Sequence, residues 1–302
     1  MNAAKHTPDD GAGMFYAGFA YALWGVMPLY WRLLNSVPPF ELTVHRLVWC
    51  ALVVAGLTFA RGRMSHIRAI IRQPRLLATL ALTGLLITTN WTIYIYCVST
   101  HQLVEASLGY YINPFISFAL GALVLGEHIS PFRIVAMTLA AIAVAAQAIA
   151  LGHVPWIAPA LATSFGLYGY FRKLAPVDAL DGLTVETWVL FPITLGLVIF
   201  WWARGTGAFP SHDLGKDTLL ICGGPLTALP LTMFAAGARR IRLTTLGFLQ
   251  YLSPSITLVV ATVLLGEKFT RIDAITFGCV WAALAIIGLE GRVRWYRATR
   301  PL

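Results

Sequence analysis

The apolar residues of this chain fall into long unbroken runs. A helix that crosses a bilayer needs roughly 20 mostly apolar residues. Ten such windows follow one another, near 14–34, 41–60, 75–97, 103–125, 131–151, 154–173, 182–203, 215–237, 244–265 and 272–290. The links between them are short and leave no room for a soluble domain. Strands of a membrane barrel would alternate polar and apolar at every second residue, and the run from Leu76 to Leu86 does not. The first window follows Lys5, Asp9 and Asp10 and has no small-residue cleavage site behind it, so it reads as a span and not as a signal peptide. The pattern predicts an all-α membrane protein with ten transmembrane helices.

The windows also repeat. Tyr111-Ile112-Asn113-Pro114 returns as Tyr251-Leu252-Ser253-Pro254, and Leu125-Gly126-Glu127 as Leu265-Gly266-Glu267, both 140 residues on. Tyr30-Trp31-Arg32 answers Tyr170-Phe171-Arg172 at the same offset, and Leu42-Thr43-Val44 answers Leu183-Thr184-Val185 at 141. The unit holds five spans. Five is odd, so the second copy must enter the membrane from the opposite side. The predicted organisation is a tail over 1–13, a five-helix repeat over 14–151, an inverted five-helix repeat over 154–290 and a basic tail over 291–302. Inverted halves of this kind are a common plan of secondary transporters, with substrate held near the midplane.

Composition narrows the class. Hydrophobic residues make up 58% and charged residues 12%, against about 25% charged in a soluble domain. That excludes a soluble enzyme, a disordered chain and a disulfide scaffold. The net charge of +9 comes from 22 basic and 13 acidic residues. Apolar runs separate the basic residues, so no nucleic-acid face is expected. With the N-terminus cytoplasmic, 16 of the 22 fall on inner segments: Lys5, Arg61, Arg63, Arg68, Arg72, Arg75, Arg133, Arg172, Lys173, Arg239, Arg240, Arg242, Arg292, Arg294, Arg297 and Arg300. Arg204, Lys216, Lys268 and Arg271 are the 4 on outer loops. This asymmetry puts both termini inside. The cysteines Cys50, Cys97, Cys222 and Cys279 each sit alone in an apolar run and read as small buried hydrophobes. Neither metal spacing, a nucleotide-binding loop nor a hydrolase motif occurs, so no cofactor and no catalysis are expected.

Candidate chemistry lies in the few polar groups inside the windows, because ionisable groups there need a partner, a cavity or a function. His45 and Arg46 lie in the second window, Glu105 at the start of the fourth and Glu186 in the seventh. Arg46 and Glu105 share a depth and are expected to face each other, with Glu41 as the competing partner. Glu186, the repeat counterpart of His45, is the candidate for proton coupling, or else reaches Arg172, Lys173 or Arg239. Trp24, Asn90, Tyr94, Asn113, Tyr168, Gln250 and Tyr251 are the candidate lining of a substrate cavity, since aromatic rings with a few amides suit a flat organic solute. The competing reading is interfacial aromatics and interhelical hydrogen bonds. Pro114 and Pro254 are repeat equivalents and candidate hinges. Small residues at four-residue spacing, Ala136/Ala140, Ala141/Ala145 and Gly278/Ala282, are expected to pack within the bundle, with a dimer as the alternative and a monomer or homodimer as the outcome.

Several stretches carry a family resemblance: Trp24-Gly25 with Pro28, His45-Arg46, Asn90-Trp91, Glu105 to Tyr110 through Asn113-Pro114, Tyr168-Gly169 with Arg172-Lys173, Glu186-Thr187, and Arg242-Leu243 through Thr245-Leu246-Gly247-Phe248 to Gln250-Tyr251. The chain resembles the RarD (chloramphenicol-sensitive protein) family of EamA-type carriers in the drug/metabolite transporter superfamily. The resemblance implies a ten-helix permease of the bacterial inner membrane, with cytoplasmic termini, moving a small organic solute such as a metabolite, amino acid or drug-like compound, and it points to a link with chloramphenicol susceptibility. Alternating access between the halves is the expected mechanism. The rival from another class is a membrane sensor or assembly factor without flux, which predicts a dry bundle whose polar groups pair with one another.

Overall fold

The computed structural model describes residues 11–125, 130–151, 155–238, 240–241 and 249–299, and among them every regular element is helical. The elements are α1 (Gly11–Arg32), α2 (Pro39–Ala60), α3 (Met64–Ile71), α4 (Pro74–Ser99), α5 (Leu103–Leu125), α6 (Pro131–Leu151), α7 (Ile157–Leu174), α8 (Ala179–Ala203), α9 (Leu214–Ala238), α10 (Leu252–Val259, continued by a π-helical turn over Val260–Leu264) and α11 (Arg271–Thr299). Five of them, α1, α2, α4, α8 and α9, are long and apolar enough to cross a membrane among the described residues. Polarity runs inside out. Phe59 and Ile149 are 76% and 82% exposed, while Thr43, Thr58, Thr83, Asn90 and Ser107 are buried. That arrangement suits lipid on the outside and polar pairing between helices within.

Two elements differ from the sequence reading. The basic link 61–75 contains the short helix α3, whose Ile67 and Ile70 are buried while its polar residues face out. The segment 291–299, read as a tail, continues α11 without a break.

Helix ends have local causes. Arg61-Gly62 and Arg204-Gly205 close α2 and α8 in the same way. Gly62 and Gly205 adopt φ of +65° and +64°, which an L side chain rarely tolerates. Their amides return to Phe59 O and Trp202 O at 2.9 and 3.0 Å, as in a helix closed by a left-handed glycine. At the other end of α11, Thr270 and Asp273 cap each other: Asp273 Oδ2 accepts from Thr270 N at 2.8 Å, and Asp273 N donates to Thr270 Oγ1 at 3.3 Å.

The helices interleave. α1 packs on α9 and α10, α7 packs on α4 and α5, α2 packs on α8 and α9, α4 on α8, and α6 on α11. On α6 the expected pair Ala136 and Ala140 is buried. Ala141, Ala145, Gly278 and Ala282 instead point outward, because α11 turns Phe277, Val280 and Ala283 inward. The proposed hinges also differ in placement. Position 114 lies inside the continuous helix α5, whereas Pro254 sits in the first turn of α10. A missing N–H costs nothing there, since first-turn amides have no intrahelical acceptor.

Candidate functional site

A cavity of about 500 Å³ lies between α1, α2, α4, α5, α7, α8, α9 and the start of α10. The pair α6 and α11 contributes nothing to its described wall. One face of α1 presents Tyr21, Trp24, Met27 and Trp31 at helical spacing. Asn90, Trp91 and Tyr94 come from α4, Tyr110 from α5, and Phe165, Tyr168 and Arg172 from α7. The wall is therefore apolar and rich in aromatic rings, with Arg46, Arg172 and Glu186 as its charged members.

Of the residues singled out in the sequence, Trp24, Asn90, Tyr94, Tyr168 and Gln250 stand on this wall. Asn113 and Tyr251 are not among its lining residues. Asn113 is buried, and Tyr251 stacks on Tyr111 with ring centroids 5.9 Å apart. Tyr21, Trp31, Tyr110 and Phe165 are additional lining residues that the sequence reading did not select. The spacing of Tyr21, Trp24 and Trp31 along one helical face was the available signal for the first two.

Arg46 does not pair with Glu105. Its guanidinium carbon lies 4.0 Å from the ring centroid of Trp91 and 5.0 Å from that of Trp31, and Nε donates to Thr227 Oγ1 at 2.7 Å. Glu105 occupies the first turn of α5 and is not on the cavity wall. Glu41 is not the partner either. Its carboxylate accepts from the Ala208 amide and lies 3.8 Å from His45 Nε2. His45 itself is buried against Phe209, outside the cavity wall.

Glu186, 1% exposed, is held from two sides. Thr83 Oγ1 donates to its Oε1 at 2.8 Å, and Arg172 Nε lies 3.4 Å from the same atom. Arg172 also donates to Val177 O and Asp178 O at 3.3 and 2.8 Å. The expected alternative Arg239 lies outside the described residues, as does the side chain of Lys173.

The two ends of the cavity differ. At one end its wall reaches Val177 in the α7–α8 link and Ala179 at the start of α8. Nearby, Arg63 ties the end of α2 to α8 through Asp181 Oδ1 at 2.8 Å and through Asp178. The hydrogen bond with Asp181, then that with Asp178, pushes the Arg63 pKa still higher than its ordinary value. At the opposite end, the α1–α2 link is closed over by contacts between helices. Tyr30 hydroxyl donates to Leu219 O, and Arg32 Nη1 donates to Val98 O at 3.0 Å. There too, the Glu267 carboxylate accepts from Leu103 N and Val104 N at 3.1 and 3.0 Å. Two unpaired amides of the first turn of α5 are thus capped from a distant link. Gly266, at φ +68°, makes the turn that aims Glu267 there. This is a physical role for the second Leu-Gly-Glu; the first lies partly outside the described residues.

Comparison with known proteins agrees with this architecture. The EamA-like transporter family model matches residues 11–147 and again 156–289. An "Uncharacterized transporter" of Vibrio cholerae is 39% identical over 97% of this chain and 98% of its own length. "Protein RarD" of Streptomyces exfoliatus is 40% identical over 94% and 90%, and "Protein RarD" of Escherichia coli is 35% identical over 92% and 94%. A solved crystal structure with 19% identity aligns at a TM-score of 0.59 over 93% of this chain and 97% of that one, a likeness of fold. With two copies of the family's unit spread over nearly its whole length, and relatives named RarD at 35–40% identity, the chain is an integral membrane protein that belongs to the EamA-like transporter family, in its RarD group.

Proposed function

We propose that the protein is a secondary carrier of the inner membrane that moves a small organic solute by alternating access. The observation that carries this reading is the aromatic cavity, which draws its wall from both copies of the repeat. A scaffold has no use for such a volume, since an empty cavity forfeits packing contacts.

The packing supports ten spans in two inverted fives. Exchanging α1 with α7, α2 with α8, α4 with α9, α5 with α10 and α6 with α11 turns the helix contacts into one another. The α1–α9 contact becomes α7–α4, α1–α10 becomes α7–α5, and α2–α9 becomes α8–α4, while α2–α8 and α6–α11 map onto themselves. A two-fold axis between the halves predicts such an exchange. The cavity breaks the symmetry. It reaches the α7–α8 link and stops short of the α1–α2 link. In the orientation set by the basic residues, the open end is cytoplasmic. Exchange of roles between the halves would close the Val177 end and open the Tyr30–Leu219 end.

The test is flux in proteoliposomes of the pure protein, with a panel of aromatic acids, amino acids, other metabolites and phenicols. Saturable uptake or counterflow of at least one solute is expected. A protein that is folded by thermal unfolding and moves none of them overturns the reading.

A further inference from the structure

Arg46 is a buried cation, and among the described residues none supplies a counterion to it. Its side chain lines the cavity and the residue is 6% exposed. Nε is bound to Thr227, and the guanidinium lies over Trp91 and Trp31. Among the described residues no carboxylate comes within ion-pair distance of it, and its two terminal amino groups donate to no protein acceptor. Glu41 accepts from the Ala208 amide, and Glu186 is held at Oε1 by Arg172 and Thr83. The remaining donors form a planar fork, which matches a carboxylate with two parallel hydrogen bonds.

We infer that Arg46 is the anion anchor of the cavity and that the cargo is a monocarboxylate with an aromatic or apolar body. This rests on the carrier reading above and specifies its substrate class. The charge count selects a monoanion. Arg172 and Glu186 offset each other, so among the described residues the wall presents one uncompensated positive charge and not two, as a phosphate dianion would need. The aromatic wall of Trp24, Tyr94, Tyr110 and Tyr168 takes the body of the solute. A zwitterion fits less well, because its ammonium would fall to Glu186, whose charge Arg172 already offsets at Oε1, which leaves Oε2 alone to accept. A neutral solute without an acceptor for the fork leaves it unmatched, at the cost of an unpaired donor.

The test uses the full-length protein in detergent and measures binding by calorimetry and by thermal stabilisation. The probes are 3-phenylpropionate, its amide, phenylalanine and phenyl phosphate. The acid is expected to bind, and the amide to bind roughly 10- to 100-fold more weakly, the range for a hydrogen bond to a charged group. Arg46→Gln is expected to erase that difference, and Arg46→Lys to restore part of it through charge without the fork. Equal binding of acid and amide in the wild-type protein overturns the inference and needs no variant, so misfolding of Arg46→Gln does not matter. Tighter binding of phenylalanine or phenyl phosphate than of the acid overturns it as well. Proteoliposomes separate the two readings. Flux of the amide without flux of the acid removes the anion anchor and keeps the carrier, whereas preferential binding of the acid without any flux keeps the anchor and removes the carrier.

Discussion

Two polar residues on the cavity wall show how residue type and residue role separate. Asn90 faces the cavity, yet its amide is spent on the protein. Nδ2 donates to Leu161 O and Ser164 Oγ, both at 3.0 Å, and Oδ1 accepts from the Tyr110 hydroxyl at 3.0 Å. It pins α4 to α5 and α7, so it belongs to the framework. Hydrogen bonds between membrane helices average about 0.6 kcal/mol each in measured cycles. Asn90→Leu is therefore expected to cost about 2 kcal/mol, read as a lower thermal midpoint in detergent, with solute binding kept in the folded fraction; an unchanged midpoint with lost binding would make Asn90 a substrate ligand instead. Arg46 is the reverse case. A charge at that depth costs roughly 2.5–3.5 kcal/mol on insertion scales, and the protein softens the cost with two indole faces. The sequence marks both residues as polar and embedded. It gives their depth along a helix but not their direction around the bundle, and so it matched Arg46 to Glu105 by depth alone.

At the scale of helices, close approach depends on where small residues point. The sequence shows that small residues recur at four-residue spacing, but spacing alone does not say which stripe meets a neighbour. Gly278 meets nothing within 4 Å, whereas Gly224 on α9 lies against the backbone of α2. A Cβ at Gly224 would stand 2.5 Å from the carbonyl carbon of Trp49 and 2.7 Å from its oxygen. Backbone cannot step aside as a side-chain tip can. Gly224→Ala is expected to destabilise by about 1–3 kcal/mol, the range for overpacking a tight contact. Gly196→Ala in α8, where a Cβ meets nothing within 4 Å, is expected to gain about 0.4–1 kcal/mol from reduced freedom of the unfolded chain. Opposite signs in thermal unfolding are the result that supports this packing, and equal effects would refute it. The paired Arg-Gly endings of α2 and α8 were legible in the sequence as well. They sit 143 residues apart, a little off the 140 to 141 of the other matches, because the links around them differ in length. The short helix α3 was harder to see, since eight residues with a basic face resemble a charged link.

For the whole molecule, the count of spans and the placement of charge make one joint claim. An odd repeat of spans would put equivalent links on opposite faces of the membrane, and the expected 16 to 4 division of basic residues would say which face is which. The sequence supports this expectation because hydrophobic run length and loop charge are one-dimensional properties. The cavity was not legible there, since it exists only where eight separate segments converge. The joint claim is open to a direct test at two equivalent links. Ser65 follows α2 and Thr206 follows α8, and both are exposed. Cys50, Cys97, Cys222 and Cys279 are free thiols within the bundle and are first replaced by alanine. In intact cells a membrane-impermeant maleimide is expected to label Thr206→Cys and to spare Ser65→Cys until the membrane is permeabilised. Labelling of both from outside, or of neither, removes the inversion and with it the exchange of halves. Labelling of Ser65→Cys alone keeps the inversion but turns the molecule over, which places the open end of the cavity outside and reverses the side from which solute first reaches Arg46.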